Sequence, residues 1–257
     1  MRQKISVVIL TKNEDAIIGR CLDSVRWADE IVVIDDNSID RTREIAKDYT
    51  DKIIAHPLDE NFAAQRNLGI EYSSGDWILE MDADEIVTEG LKNDMLKLLE
   101  RGSDLAAFRF KRFNNFCGKF LKHGGEETHK PLRLFKRGRA KFEGAATNEF
   151  LSVDGGIGEL DSVMEHYNFP TISHYISTQD FYSSLEAKDM AKSLGLMPKR
   201  ALKRELLAGP IKLFLKIYIK KKGFKDGMHG LIFAALSAWR RFLIYAKYWE
   251  LNKEAYK

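Results

Sequence analysis

Apolar runs and apolar stripes alternate along the first part of the chain. Ile5-Ser-Val-Val-Ile-Leu10 is short, β-branched and almost wholly apolar, the pattern of a strand buried on both faces of a parallel sheet. Behind it Ile17, Ile18, Cys21, Leu22 and Val25 recur at three- and four-residue spacing, which predicts an amphipathic helix. Residues 30–34 predict a second buried strand running into Asp35-Asp36-Asn37-Ser38. A helix follows, capped by Ser38 or Asp40, with Ile45, Ala46 and Tyr49 on one side. A third short strand is expected at residues 52–55, a helix from Asn61 or a neighbour through Tyr72, and a fourth strand at residues 77–81. Thr88 should cap a helix carrying Leu91, Met95, Leu98 and Leu99. Four such alternations predict an α/β fold with a mainly parallel sheet covered by helices.

After residue 100 the pattern changes. Residues 105–113 place Ala106, Phe108 and Phe110 on one side of a strand and Arg109 and Lys111 on the other. Further short strands are expected at residues 132–136, 141–143 and 163–167. Asp154-Gly-Gly-Ile-Gly158 has the glycine density of a hairpin turn and does not match the phosphate-binding glycine fingerprint. This mixed half is expected to close over the C-terminal edge of the parallel strands. From Thr178 the chain reads as helical, with Pro198 and Gly209-Pro210 as breaks. Its longest apolar stretch, residues 230–239, is stopped by Arg240-Arg241, short of the roughly 18 residues that a membrane span needs.

Composition narrows the class. With 44% hydrophobic and 31% charged residues over 257 positions, the chain is globular, not disordered or fibrous. A net charge of +3 hides a strong asymmetry: residues 199–257 hold 15 Lys and Arg against 4 Asp and Glu, or +11, and residues 1–198 hold 26 against 34, or −8. Cys21 and Cys117 make neither a disulfide framework nor a zinc spacing, so reduced core thiols are expected. The apolar run near the N-terminus is shorter than a signal peptide's roughly 7–15 residues, so a cytoplasmic location is expected.

Chemistry concentrates at the expected strand ends. Glu14 follows the first, Asp35 and Asp36 the second, and Asp82-Ala83-Asp84-Glu85 the fourth. Ligands of open α/β sheets bind where parallel strands end. Converging carboxylates repel each other unless a cation joins them, and Asp-x-Asp offers hard oxygen ligands that suit Mg²⁺ or Mn²⁺ with a diphosphate. Alternatively, Asp82, Asp84 and Glu85 simply cap the loop and the next helix.

Five segments in order carry a family resemblance: Ile5-Ser-Val-Val-Ile-Leu-Thr-Lys-Asn-Glu14, Val33-Ile-Asp-Asp-Asn-Ser-Ile-Asp-Arg-Thr42, Ala64-Gln-Arg-Asn-Leu-Gly69, Ser74-Gly-Asp-Trp77 and Leu79-Glu-Met-Asp-Ala-Asp-Glu85. Together they resemble the motifs of family 2 glycosyltransferases, and within them the bacterial lipopolysaccharide-core glucosyltransferase branch. The resemblance is looser to about Tyr167 and only general beyond. It implies a GT-A fold and transfer of a sugar from a nucleotide donor with inversion at the anomeric carbon. Residues 1–175 would form the catalytic domain, with a donor half to about 100 and an acceptor half beyond it. Thr11 and Glu14 would then lie beside the nucleoside, Asp36 would accept hydrogen bonds from the base, and Arg66 would lie near the diphosphate or form a surface ion pair. Asp82 would touch the ribose or the metal, Asp84 would ligate Mg²⁺ or Mn²⁺, and His166 would be a third ligand or a packed residue.

Inversion needs a carboxylate base near the acceptor hydroxyl. In Thr147-Asn-Glu149-Phe150, Glu149 takes that part or is a solvated loop residue, and Asn148 stands where this branch is expected to carry His. Arg133 would reach the acceptor or the diphosphate, or sit on a surface strand. His123 and His129 flank Gly124-Gly-Glu-Glu-Thr128, expected to be a mobile loop over the site.

The helical extension, residues 176–257, has its own signature. Lys212, Lys216 and Lys220 recur every four residues among Ile211, Phe214, Leu215, Ile217, Tyr218 and Ile219, the composition of a basic interfacial helix. Attachment to the anionic inner face of the plasma membrane is therefore expected; packing on the catalytic domain or on a second subunit is the alternative, and homo-oligomerisation stays open. Nucleic acid is a poor partner, because the donor-side residues are acidic. The leading reading is a hexosyltransferase using UDP-glucose and a lipid-linked glycan acceptor. A donor-binding scaffold without catalysis and a sugar nucleotidyltransferase are the alternatives.

Overall fold

The structure, a computed structural model, describes residues 2–58, 61–125, 129–144 and 149–256. Two compact units emerge: residues 1–112 with 129–166, and residues 113–128 with 167–257.

In the first unit β1 (Ile5–Thr11), β2 (Glu30–Asp35), β3 (Ile53–Ala55) and β4 (Trp77–Asp82) lie parallel in the order β3-β2-β1-β4. They alternate with α1 (Ile18–Ser24), α2 (Thr42–Ala46), α3 (Phe62–Tyr72) and α4 (Glu89–Arg101), as the periodicity predicts. Every residue of β1 is buried because both faces of the strand are covered. Ile5, Val7 and Ile9 share a core with Ile18 and Leu22 of α1 and Leu91, Met95 and Leu99 of α4. Val8 and Leu10 face the opposite core, with Val32, Ile34 and Ala63. At α3 the helix comes unusually close: a Cβ on Gly69 would lie 2.2 Å from Val8 Cγ1, so only glycine fits there. Asn61 caps α3 by accepting from Ala64 N–H (3.0 Å), and Thr88 caps α4 by accepting from Leu91 N–H (3.3 Å).

The second half of this unit extends the same sheet and brings side chains to the rim where β1 and β4 end. The remaining strands are β5 (Glu85–Val87), β6 (Ala107–Phe116), β7 (Lys119–Phe120), β8 (Leu132–Lys136), β9 (Ala140–Glu143), β10 (Phe150–Val153) and β11 (Ile157–Phe169); β7 lies in the second unit, and β6 and β11 run on into it. β8 pairs antiparallel with β4, and the order continues β8-β6-β11-β5. β5 was not visible in the apolar pattern, being three residues paired to β11. Two expectations are corrected. Residues 154–158 form no hairpin, because β10 pairs with β9 in a separate two-stranded sheet while β11 belongs to the main one. Ser38 does not cap α2; its Oγ accepts from Asn13 N–H (2.9 Å), and Asp40 accepts from Thr42 N–H (3.0 Å).

The second unit is built on α5 (Ile172–Leu194), α6 (Lys199–Leu215) and α7 (Met228–Leu251). Phe116, Leu121 and Tyr175 form one core with Phe169 and Phe233; Ala187, Leu202 and Tyr248 form another. Pro198 precedes α6 as expected, but Gly209-Pro210 does not break it. Gly209 is packed against Arg241 of α7, and this packing keeps α6 running through a proline that would disrupt an isolated helix. α6 then passes into a π-helical turn, residues 216–220, so 211–222 is not one regular α-helix. Among the described residues no helix is long and apolar enough to cross a membrane.

Candidate functional site

β1, β2 and β4 end at Thr11, Asp35 and Asp82 on one edge of the sheet. Thr11 Oγ1 is buried without a hydrogen-bond partner. Asp36 N–H donates to Thr11 O (2.9 Å), while its carboxylate accepts from Leu58 N–H (2.9 Å) and Lys12 Nζ (2.7 Å). Asp36 thus ties together the loops that follow β1 and β3.

The end of β4 is held by arginines from three directions. Arg66 on α3 donates through Nη2 to Asp82 (3.1 Å) and through Nε to Glu149 (2.9 Å), and its Nη1 contacts Glu80. Arg133 on β8 donates to the other Asp82 oxygen (2.9 Å) and to Glu80. Arg112 on β6 donates to Glu85 (2.8 Å). Helix α3 is aimed at this rim by the close approach at Gly69, one turn beyond Arg66, and by Asn67, which exchanges two hydrogen bonds with the backbone of Phe142 (2.8 and 2.9 Å).

Burial raises the Asp82 carboxyl, but Arg66, Arg133 and Arg112 outweigh it and hold the group well below the ordinary carboxylate range. Glu85 is lowered in the same way against its burial, by Arg133 and Arg112. His129 lies at the surface, yet desolvation first and then the charges of Arg112, Arg133 and His166 push it down to about 4, and it is neutral at physiological pH. Glu14 behaves oppositely. Burial first, then Asp84, Asp40 and Asp82, push it up to about 7.

Most of the site residues expected from sequence therefore converge. Asp82, Arg66, Arg133 and Glu149 form one ionic cluster; Asp84 pairs with His166 (Oδ2 to Nε2, 3.2 Å); and Glu14 feels Asp84 and Asp82 electrostatically. Thr11 and Asp36 stand together at the β1 and β2 ends. One physical reason is corrected. The crowd of carboxylates depends less on a cation than their number suggests, because three guanidinium groups offset most of the charge of Glu80, Asp82, Glu85 and Glu149. For a metal, Asp84 offers an oxygen, the donor type that suits Mg²⁺ or Mn²⁺, with a nitrogen of His166 3.2 Å from it, whereas both Asp82 oxygens are engaged by arginine. Among the described residues no three His, Cys, Asp or Glu side chains form a ready metal cage.

Sequence reasoning missed Glu80 and Arg112, and named His129 only as a flank of the expected loop. Glu80 had a signal: it is the charged residue inside Trp77-Ile-Leu-Glu-Met81, where a buried carboxylate demands a cationic partner. Thr147 and Asn148 of the expected base segment lie outside the described residues, as do Glu126, Glu127 and Thr128 of the expected loop. His123 and Gly124, in that loop's described part, are tied within the second unit. Asp226 accepts from His123 N–H (2.9 Å), and Lys221 O accepts from Gly124 N–H (2.8 Å).

Comparison with known proteins adds a lineage to this geometry. Residues 6–152 match the model of glycosyl transferase family 2. An uncharacterised glycosyltransferase of Rickettsia typhi is 29% identical, with 97% of this chain and 88% of that protein aligned. The lipopolysaccharide core biosynthesis glycosyltransferase LpsC of Rhizobium meliloti is 25% identical over 96% of this chain and 92% of its own. Among solved structures, glucosyl-3-phosphoglycerate synthase from Mycobacterium tuberculosis, in complex with phosphoglyceric acid, superposes with a TM-score of 0.51 at 18% identity. The match covers 77% of this chain and 82% of that one. The fold is the GT-A fold.

Proposed function

The chain belongs to glycosyl transferase family 2 and is a glycosyltransferase; on that premise we propose that it moves a hexose, with inversion, from a UDP-sugar such as UDP-glucose onto a lipid-linked glycan such as a lipopolysaccharide core. The observation that carries the reading is the state of Glu149. Its Oε1 is held by Arg66, while Oε2 is buried without a hydrogen-bond partner, beside the end of β4. A carboxylate held by one oxygen and unpartnered at the other is arranged to take a proton. The acceptor hydroxyl oxygen attacks the anomeric carbon, its proton passes to Glu149, and the bond to the diphosphate breaks.

Arg66 and Arg133 carry positive charge to the rim where the departing diphosphate would gather negative charge. Mg²⁺ or Mn²⁺, held by Asp84 and His166 and joined by Asp82, would act as a Lewis acid on the same oxygens. Thr11, Glu14 and Asp36, at the β1 and β2 ends, would receive the nucleoside. Similarity to LpsC along nearly the whole chain supports the acceptor class.

We further propose that the helical unit attaches the enzyme to the anionic inner membrane face, where a lipid-linked acceptor is presented. Leu207, Ile211, Leu215 and Ile219 follow one another every four residues and are 70, 63, 50 and 55% exposed. Exposed Lys212, Lys216 and Lys220 flank them. Each such cation contributes about 1 kcal/mol at an anionic surface.

The test is release of UDP from a panel of nucleotide sugars with Mn²⁺ or Mg²⁺. Turnover is expected for at least one donor, lost in Asp84→Ala; Glu149→Gln should keep UDP binding and lose transfer. A protein that neither binds nor cleaves any donor would overturn the reading.

A further inference from the structure

We propose that Glu80 is a positioning residue, a wholly buried carboxylate on β4 that holds Arg66 and Arg133 as a pair and so aims Arg66 at Glu149. The inference rests on the glycosyltransferase reading of the same site.

Glu80 is 0% exposed, between Leu79 and Met81, which are also 0% exposed. A charge in that position is costly, and an apolar residue would complete the strand at least as well. Its value lies in the geometry. One carboxylate oxygen contacts Arg66 Nη1 and the other Arg133 Nη1, so a single group from β4 spans α3 and β8. A guanidinium is a rigid planar fork, and holding one nitrogen orients the rest. For Arg66 the rest are Nη2 on Asp82 (3.1 Å) and Nε on Glu149 (2.9 Å). For Arg133 it is Nη2 on the other Asp82 oxygen (2.9 Å).

Two guanidinium groups converging on one Asp82 repel each other, and Glu80 behind them offsets that repulsion. Asp82 is half-exposed and can turn toward an incoming ligand; Glu80 cannot. While Asp82 turns, Glu80 keeps both arginines in register with the proposed base. Glu80 reaches no solvent, so it acts through them and not on the substrate.

Glu80→Gln preserves shape and removes the charge. Turnover measured as UDP release is expected to fall about 10- to 100-fold, the scale on which misplacing a reacting group acts. UDP affinity by calorimetry should stay equal or tighten, because the Glu80 charge no longer offsets the pull of the arginines on the diphosphate. Glu80→Asp, which keeps the charge, should retain more turnover than Glu80→Gln. A purely structural role would instead lower turnover and binding together with the thermal midpoint.

A second measurement is independent of donor and acceptor: solvent exchange of the Arg66 and Arg133 Nε protons by NMR in full-length protein. Exchange should accelerate at least several-fold in Glu80→Gln, or in Glu80→Asp if the glutamine variant does not fold. Unchanged exchange, or turnover within twofold of wild type, overturns the proposal. If wild type cleaves no donor while exchange still accelerates, the positioning contact stands and the glycosyltransferase reading of the site fails.

Discussion

Replacing Arg66 by glutamine probes the ionic cluster most directly, because three carboxylates meet on this one side chain. Arg66 is nearly buried and bonded to Glu80, Asp82 and Glu149. Removing one partner of a buried ion pair costs about 3–5 kcal/mol, since the remaining charge loses water and counter-charge together. Arg133 still reaches Glu80 and Asp82, and Asp82 is partly hydrated, which places the expected loss near the lower end, about 3 kcal/mol. Urea unfolding with an m-value of roughly 3 kcal/mol/M would then show a midpoint about 1 M lower. The loss should also depend on pH. Against its burial, Asp82 titrates below its ordinary value in the fold, chiefly through Arg66, so its stabilisation is present above the unfolded value and is lost as pH falls through the folded one. In Arg66→Gln the Asp82 carboxylate takes up its proton earlier, and the gap from wild type narrows below about pH 4. A loss under 1 kcal/mol at pH 7, or a gap that widens on acidification, would refute the assignment of Arg66 as the counter-charge.

Glu14 supplies a pH effect of opposite sign. Its folded value of about 7 lies above 4.5, so ionisation costs stability as pH rises between those values. Glu14→Gln should therefore gain about 1–2 kcal/mol on wild type by pH 8, after allowance for the group's partial exposure; thermal melts from pH 4 to 8 that stay parallel would contradict this. Gly69→Ala places a methyl group 2.2 Å from Val8 Cγ1 and should cost about 1–3 kcal/mol in chemical unfolding, with an undiminished midpoint counting against the close helix–strand approach. In vesicle sedimentation, Ile211→Ser with Ile219→Ser should weaken binding to anionic bilayers, and Lys216→Glu with Lys220→Glu should remove its salt dependence. Equal wild-type binding to neutral vesicles would defeat the proposed charge-assisted attachment.

The parallel half of the fold could be read in the sequence because each strand there is buried on both faces. Such strands leave continuous apolar runs, as at Ile5–Thr11, and their helices leave stripes, as at Ile18, Cys21 and Leu22. The second half was less legible. β5 is three residues long and depends on pairing with β11, and Pro210 sits in a helix that tertiary packing sustains against its local preference. The glycines at 155 and 156 marked a tight path correctly but could not say which strands it joined. Gly155, with φ of +136°, passes so near Ala106 that a Cβ would lie 2.7 Å from that side chain, a constraint visible only once β6 is placed beside β11.

The site divides along a similar line. Asp82, Asp84, Asp36 and Arg66 could be found because they stand in ordered motifs beside predicted strand ends. What neutralises the acids was harder to find that way, because Arg112 and Arg133 arrive from strands 27 to 53 residues distant in sequence from the carboxylates they face, and the sequence points to Arg133 only as a contact for the acceptor or the diphosphate. A count of negative charges at the strand ends therefore suggests a cation deficit that three-dimensional pairing largely removes. What remains uncompensated by arginine is Asp84, paired with His166, and the raised carboxyl of Glu14 beside it. A divalent ion entering there would lower the Glu14 carboxyl and replace the direct Asp84–His166 contact with ligation of both. Its affinity should therefore fall as pH drops below about 7, where Glu14 gains its proton.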